Sequence, residues 1–249
     1  MYLRLVRLQL REGAEAKFVA FYRERVIPAL EQTAGCLYAG LLGPWRGNDH
    51  QSLTIWRSAR EAEAYEASGL YHRLLRESER MLAATTRWRV RTAKDPLETI
   101  DGDRREIPPE GYRVEIGDAA KALESDNPVY VRIVSLRVAP DRHDEFVDRY
   151  RERVMPAVER LDGCRGVLLA EGAEDPGSIL SISFWAREED AVRYELSGEF
   201  ERLTAELQDT FSPVYTWQVV LGAGADRRKQ APKVSGYHVV QGRKLDADS

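Results

Sequence analysis

Residues 2–10 alternate with a period of two, with Tyr2, Arg4, Val6, Leu8 and Leu10 on one side and Leu3, Leu5, Arg7 and Gln9 on the other, which predicts a strand. Both sides are partly apolar, so the predicted sheet is covered on both faces. From Ala14 to Thr33 the spacing becomes helical. Phe18, Val19, Tyr22, Val26, Ala29 and Leu30 form one stripe, Pro28 falls on the outer side and bends the helix, and Gly35 ends it as a left-handed cap. Two strands follow around the hairpin Pro44–His50; on the second, Leu53 and Ile55 point one way and Thr54 and Trp56 the other. Ser58 with Glu61 reads as a capping box for a further helix, which Ser68-Gly69 interrupts. Tyr71, Leu74, Ser78 and Leu82 then face inward, and Trp88 and Val90 mark a fourth strand.

This β-α-β-β-α-β pattern occurs twice. Tyr22–Cys36 returns as Tyr150–Cys164, 128 residues later, with ten of fifteen positions identical, where roughly one would match by chance. The offset becomes 129 from Leu53/Ile182 onward, a single-residue change in the hairpin loop. Trp185 thus repeats Trp56, Pro156 repeats Pro28, Gly163 repeats Gly35, and Trp217 with Val219 repeats the fourth strand. Each repeat is followed by a related fragment, Gly111–Gly117 and Gly236–Gly242, read as an extra strand or clasp. The expected organisation is a repeat with its extension at 1–117, a connector at 118–128, and a second repeat with its extension at 129–249.

A net charge of −4 with interspersed signs gives no basic stripe, so no nucleic-acid partner is expected. No apolar run approaches the ~18 residues of a membrane span, and Met1 leads straight into a strand-like segment rather than a signal peptide. The expected location is cytoplasmic. Cys36 and Cys164, the only cysteines, are expected to be reduced, half-buried thiols.

The two β-α-β-β-α-β units, the Pro-Ala…Gly-Cys helix end and the tryptophan closing strand three resemble the antibiotic biosynthesis monooxygenase domain, over about 2–92 and 130–221. The resemblance implies an α+β fold: two ferredoxin-like repeats packed sheet to sheet as an intramolecular pseudo-dimeric barrel, with higher homo-oligomers open. It further implies a cofactor-independent monooxygenase acting on a small aromatic or quinol-type substrate. The alternative is a non-catalytic small-molecule-binding or structural protein of the same fold. Haem-degrading relatives carry an axial histidine on the last helix; here Leu75 and Thr204 stand at those positions, which disfavours that branch. No metal spacing, phosphate loop or nucleophile elbow is present, and no cofactor is expected.

Trp56, Tyr22 and His72 are the candidate catalytic residues. Arg4, Thr54, Tyr65, Trp185, Tyr150 and Arg132 are the candidate substrate-binding residues. Trp56 and Trp185 match the pocket tryptophan of the family, and each equally suits a core position. Tyr22 and Tyr150 lie on the inward stripe, as core rings or as groups that orient or deprotonate a phenol. Arg4 and Arg132 suit either an anchor for a substrate oxygen or an ion pair. His72 is a proton-carrier candidate in the first repeat alone. Trp45, Arg46, His50 and His72 have no counterparts in the second repeat, so the functional site is expected in the first.

Overall fold

The computed structural model describes residues 1–44, 49–83, 89–90, 105–106, 110–116, 130–212 and 233–244. They fall into two compact units, Met1–Glu110 with Val240–Ser249, and Gly111–Val239.

In the first unit, β1 (Tyr2–Gln9) and β2 (Cys36–Pro44) both pair antiparallel with β3 (Asp49–Trp56), which is the central strand. α1 (Glu15–Phe21) and α2 (Ile27–Glu31) are joined without a break by a π-helical stretch, Tyr22–Val26. α3 (Ala59–Ala67) and α4 (Leu70–Ser78) follow β3. The helices cover one sheet face, where Val6, Leu8, Leu10 and Trp56 pack with Phe18, Tyr22, Ile27, Leu30, Leu74 and Leu75. Leu3, Leu5, Leu53 and Ile55, on the opposite face, are equally buried, as the two-sided alternation predicted.

The wide turn has a local cause. Pro28 has no N–H to donate to the carbonyl four residues back, and its ring crowds that carbonyl. The ladder widens just before it, Ile27 N–H bonding to the Tyr22 carbonyl, five residues back. The extra residue in that turn brings Ile27 into the core beside Val26. Gly35 ends the helical segment at φ +80°, as expected of a left-handed cap, and a Cβ there would lie 2.8 Å from that of Glu61. The expected capping box is only half formed. The Ser58 hydroxyl donates to Glu61 Oε2 (2.8 Å) and makes no bond to the helix backbone.

The expected fourth strand is seen only at its start. Arg11 N–H donates to the Met81 carbonyl and Ala83 N–H to the Gln9 carbonyl, which lays the chain after α4 beside β1. Trp88, Trp217 and Val219 lie outside the described residues. Val90 belongs to β4 (Arg89–Val90), which pairs with β5 (Arg105–Glu106) in a separate ribbon.

The second unit repeats the plan. β7 (Tyr130–Arg137) and β8 (Cys164–Gly172) flank β9 (Ser178–Trp185), with α5 (His143–Arg149), a π-helical Tyr150–Val154, α6 (Met155–Glu159), α7 (Glu188–Leu196) and α8 (Glu199–Ala205). Two further strands join this sheet. β6 (Glu110–Ile116) pairs with β8, and β10 (Lys233–Lys244) pairs with β7 through Lys233–His238. Both extensions are thus strands. The first, expected within a domain ending at 117, pairs with the second repeat, so the compact units divide at Glu110/Gly111 instead. Ladder hydrogen bonds, not adjacency in sequence, decide which sheet a short strand joins.

Candidate functional site

The register between β1 and β3 sets the site. It places Tyr2 opposite Trp56, Arg4 opposite Thr54 and Val6 opposite Ser52. Between this face and the helices lies a cavity of about 60 Å³, or about 550 Å³ with the space at its mouth, and Arg4, Ser52, Thr54, Tyr22, Tyr65 and Tyr71 are among its lining residues.

Among the described residues Arg4 is the one cation lining this cavity, and it is 4% exposed. Its Nη2 donates to Glu66 Oε2 (3.2 Å), and its guanidinium lies 5.4 Å from the Tyr65 ring centre and 5.2 Å from that of Tyr71. Arg4 is thus ion-paired, one of its two sequence readings, and it lines the cavity as well. Glu66 is itself half-buried, at 28% exposure.

Trp56 is fully buried and does not line the cavity. It stacks at 5.1 Å on Tyr65, and its Nε1–H donates to Thr54 Oγ1 (2.9 Å). With its oxygen accepting from the indole, the Thr54 hydroxyl keeps its hydrogen for another acceptor. Trp56 thus acts through Thr54.

Tyr22, fixed at the start of the π-helical turn, donates its hydroxyl to the Gly40 carbonyl (3.1 Å), and the Ser52 hydroxyl (2.9 Å) then donates to the phenol oxygen. Burial pushes the phenol far above its ordinary range, with the Ser52 hydrogen bond only partly opposing it. Tyr22 is a neutral, satisfied phenol at neutral pH, which suits orientation and packing and not proton abstraction. Tyr65 is raised likewise, by burial, with Arg4 opposing.

The second unit has the same frame with a different lining. Arg132 faces Ser183 and Tyr130 faces Trp185 across β7–β9. Trp185 Nε1–H donates to Ser183 Oγ (2.8 Å), Tyr150 pairs with Ser181 (2.7 Å), and Arg132 Nε donates to Glu195 Oε1 (2.7 Å). The cavity here is smaller, about 40 Å³, with Phe200 and Thr204 in place of Tyr71 and Leu75. Phe200 lies 4.2 Å from the Arg132 guanidinium.

The structure brings Arg4, Thr54, Tyr22 and Tyr65 together around one cavity and Arg132 and Tyr150 around the other. Trp56 and Trp185 stand outside both walls. His72 is half-buried, packs edge-on against Tyr71 at 5.5 Å and does not line the cavity; Trp45 and Arg46 lie outside the described residues. Ser52, Ser181, Glu66 and Glu195 were missed by the sequence reading, although all four recur at the offset of 129. Among the described residues no three His, Cys, Asp or Glu side chains group as metal ligands, and no helix is long and apolar enough to cross a membrane.

Residues 129–206 match the family model of antibiotic biosynthesis monooxygenases. The match covers the greater part of the second repeat. The first repeat, its internal copy, lies outside the matched residues. A candidate monooxygenase from Fusobacterium nucleatum superposes with a TM-score of 0.66 at 11% identity, over 98% of this chain and 94% of that one. One from Lactobacillus acidophilus gives 0.60 at 12% identity (98% and 99%), and an anthrone oxidase-like protein gives 0.59 at 14% identity (100% and 94%). At such identities the likeness to these three is one of fold. No curated protein matches the chain in sequence.

Proposed function

We propose that the chain is a cofactor-independent monooxygenase of this family, acting on a small phenol, hydroquinone or similar activated aromatic held in the first cavity. The observation that carries the reading is the buried Arg4 guanidinium in an otherwise apolar and aromatic chamber, with the Thr54 hydroxyl on the directly opposite strand position. A flat aromatic body fills the apolar part, and its ionisable oxygen meets a cation and a hydroxyl donor. In that environment the cation favours the substrate's anion, so acidity is induced in the substrate itself.

Among the described residues no carboxylate or imidazole lines the cavity, and Tyr22 is held neutral. The electron-rich anion is then the reductant. A carbon–oxygen bond forms to O2, giving a hydroperoxide; loss of the remaining carbon-bound hydrogen and cleavage of the O–O bond leave a carbonyl and water. All four electrons that reduce the oxygen come from the substrate, and none from an added cofactor.

The same lack of a lining base supports the second reading, a protein that binds such molecules without turning them over. Oxygen uptake with a panel of hydroquinones and polycyclic phenols, without flavin or metal, separates the two. Uptake above buffer that falls at least about tenfold in Arg4→Gln is the expected result. Saturable binding with no uptake across the panel would discard the enzyme and leave the binding protein.

A further inference from the structure

The two buried arginines have different partners. Arg4 has Glu66 on Nη2. Arg132 gives its Nε to Glu195, and its own Nη2 is buried and finds no acceptor among the described residues. A guanidinium carries five N–H donors in a rigid fork. Leaving a charged donor buried without an acceptor is costly, and the side chain is 3% exposed. This arginine lines the second cavity, and so do Ser183 and Thr204, beside the hydroxyl-bearing Tyr150, Ser181 and Tyr194. Ser183 already accepts from Trp185 Nε1 and retains its hydrogen to donate. Thr204 stands where the first cavity has Leu75, which gives the second a hydroxyl at a position where the first has none. Val134, Leu203 and Phe211 are among its apolar lining residues.

We infer that the second cavity is a binding site for a small monocarboxylate with an apolar or aromatic body, whose carboxylate is taken by Arg132 Nη2 and the neighbouring hydroxyls. A planar carboxylate offers two oxygens, so one accepts from the guanidinium edge while the other accepts from a hydroxyl. The site is distinct from the quinol chamber of the first unit and does not depend on that reading. It also reverses the sequence expectation that function is confined to the first repeat: the second holds the unmatched donor.

The test titrates the full chain with benzoate and with benzyl alcohol by calorimetry. Saturable benzoate binding, at least about tenfold tighter than that of the neutral alcohol, is expected, and this comparison needs no variant. Arg132→Gln should remove it by about tenfold or more, and Thr204→Leu, which copies the first cavity, should weaken it several-fold. Equal affinity for the acid and the alcohol, or no benzoate binding at millimolar concentration, would overturn the proposal. So would loss of benzoate binding in Arg4→Gln with Arg132→Gln unaffected, because the carboxylate would then sit in the first cavity. Oxygen uptake by the quinol panel is read separately, so that failure of either proposal leaves the other standing.

Discussion

Replacing either strand-three tryptophan by phenylalanine tests whether the indole is part of a wall or part of a frame. Trp56 and Trp185 are both 0% exposed, each donates its N–H to a hydroxyl two residues earlier, and each stacks on a tyrosine, Tyr65 at 5.1 Å or Tyr194 at 5.5 Å. Phenylalanine retains a ring in place but loses the N–H bond, about 1 kcal/mol for a buried pair. It also leaves a void where the second ring stood. Removing the whole side chain to alanine costs about 3–5 kcal/mol, so this partial truncation costs about 1–2 kcal/mol. The sum is about 2–3 kcal/mol for each variant, and the two should be similar because their partners are. Urea unfolding followed by far-UV circular dichroism reads it as a lower midpoint at unchanged slope. Affinity of a quinol ligand for Trp56→Phe should change less than about threefold, since Thr54 and Arg4 remain. A stability loss below about 1 kcal/mol in either variant would refute the frame argument. A tenfold loss of affinity in folded Trp56→Phe would show that the indole reaches the ligand.

Other expectations follow from single contacts. Gly198→Ala, at φ +78° with nothing within 4 Å of a new Cβ, should cost about 1 kcal/mol of left-handed strain, whereas Gly163→Ala, whose Cβ would sit 2.3 Å from the buried Asp190 Oδ2, should cost at least twice as much by the same urea measurement. Burial pushes the Cys36 thiol up to about 12 and the Cys164 thiol up to about 11, against 9.0 unfolded. Because both are raised, the stability they contribute is fully present below pH 9 and lost as pH rises through 11 and 12, so a melting temperature flat to pH 9 should fall beyond it, and neither thiol should label with iodoacetamide at pH 8 until urea is added. On the second unit's surface, Arg142 and Arg149 both reach Asp209, and Glu145 bonds to each arginine. Asp209→Asn should lower the melting temperature at low salt, and the difference from the parent should vanish in 1 M NaCl.

The strands and helices were legible because their faces repeat with period 2 or about 3.6, and burial enforces those periods. The π-helical turns were not. A stripe through Tyr22, Val26 and Leu30 fits an ordinary helix equally well, and the burial of Ile27 beside Val26 is the only trace the wider turn leaves. The capping box at Ser58 has the right residues at the right spacing, yet the hydroxyl donates to Glu61 itself, a choice between two partners that sequence spacing does not distinguish. Arg4 was legible as a buried charge but its partner was not, because Glu66 is one of several glutamates on that helix and only the register of β1 against β3 selects it.

The duplication sorts the site into frame and lining. Positions identical in both repeats are those whose bonds hold something else in place: Arg4/Arg132 with Glu66/Glu195, Tyr22/Tyr150 with Ser52/Ser181, and Trp56/Trp185 on Tyr65/Tyr194. Several of these also line the cavities, and the two linings differ at Thr54 against Ser183, Tyr71 against Phe200, Leu75 against Thr204 and Ser78 against Leu207. Exchanging Leu for Thr or Tyr for Phe in a wall alters what is bound at little cost to folding. Breaking a buried hydrogen-bonded pair leaves a donor or acceptor stranded, at a cost of about 1–3 kcal/mol. Two copies in one chain can therefore keep one frame and diverge toward two ligands, and the unmatched Nη2 of Arg132 marks where the second copy has gone its own way.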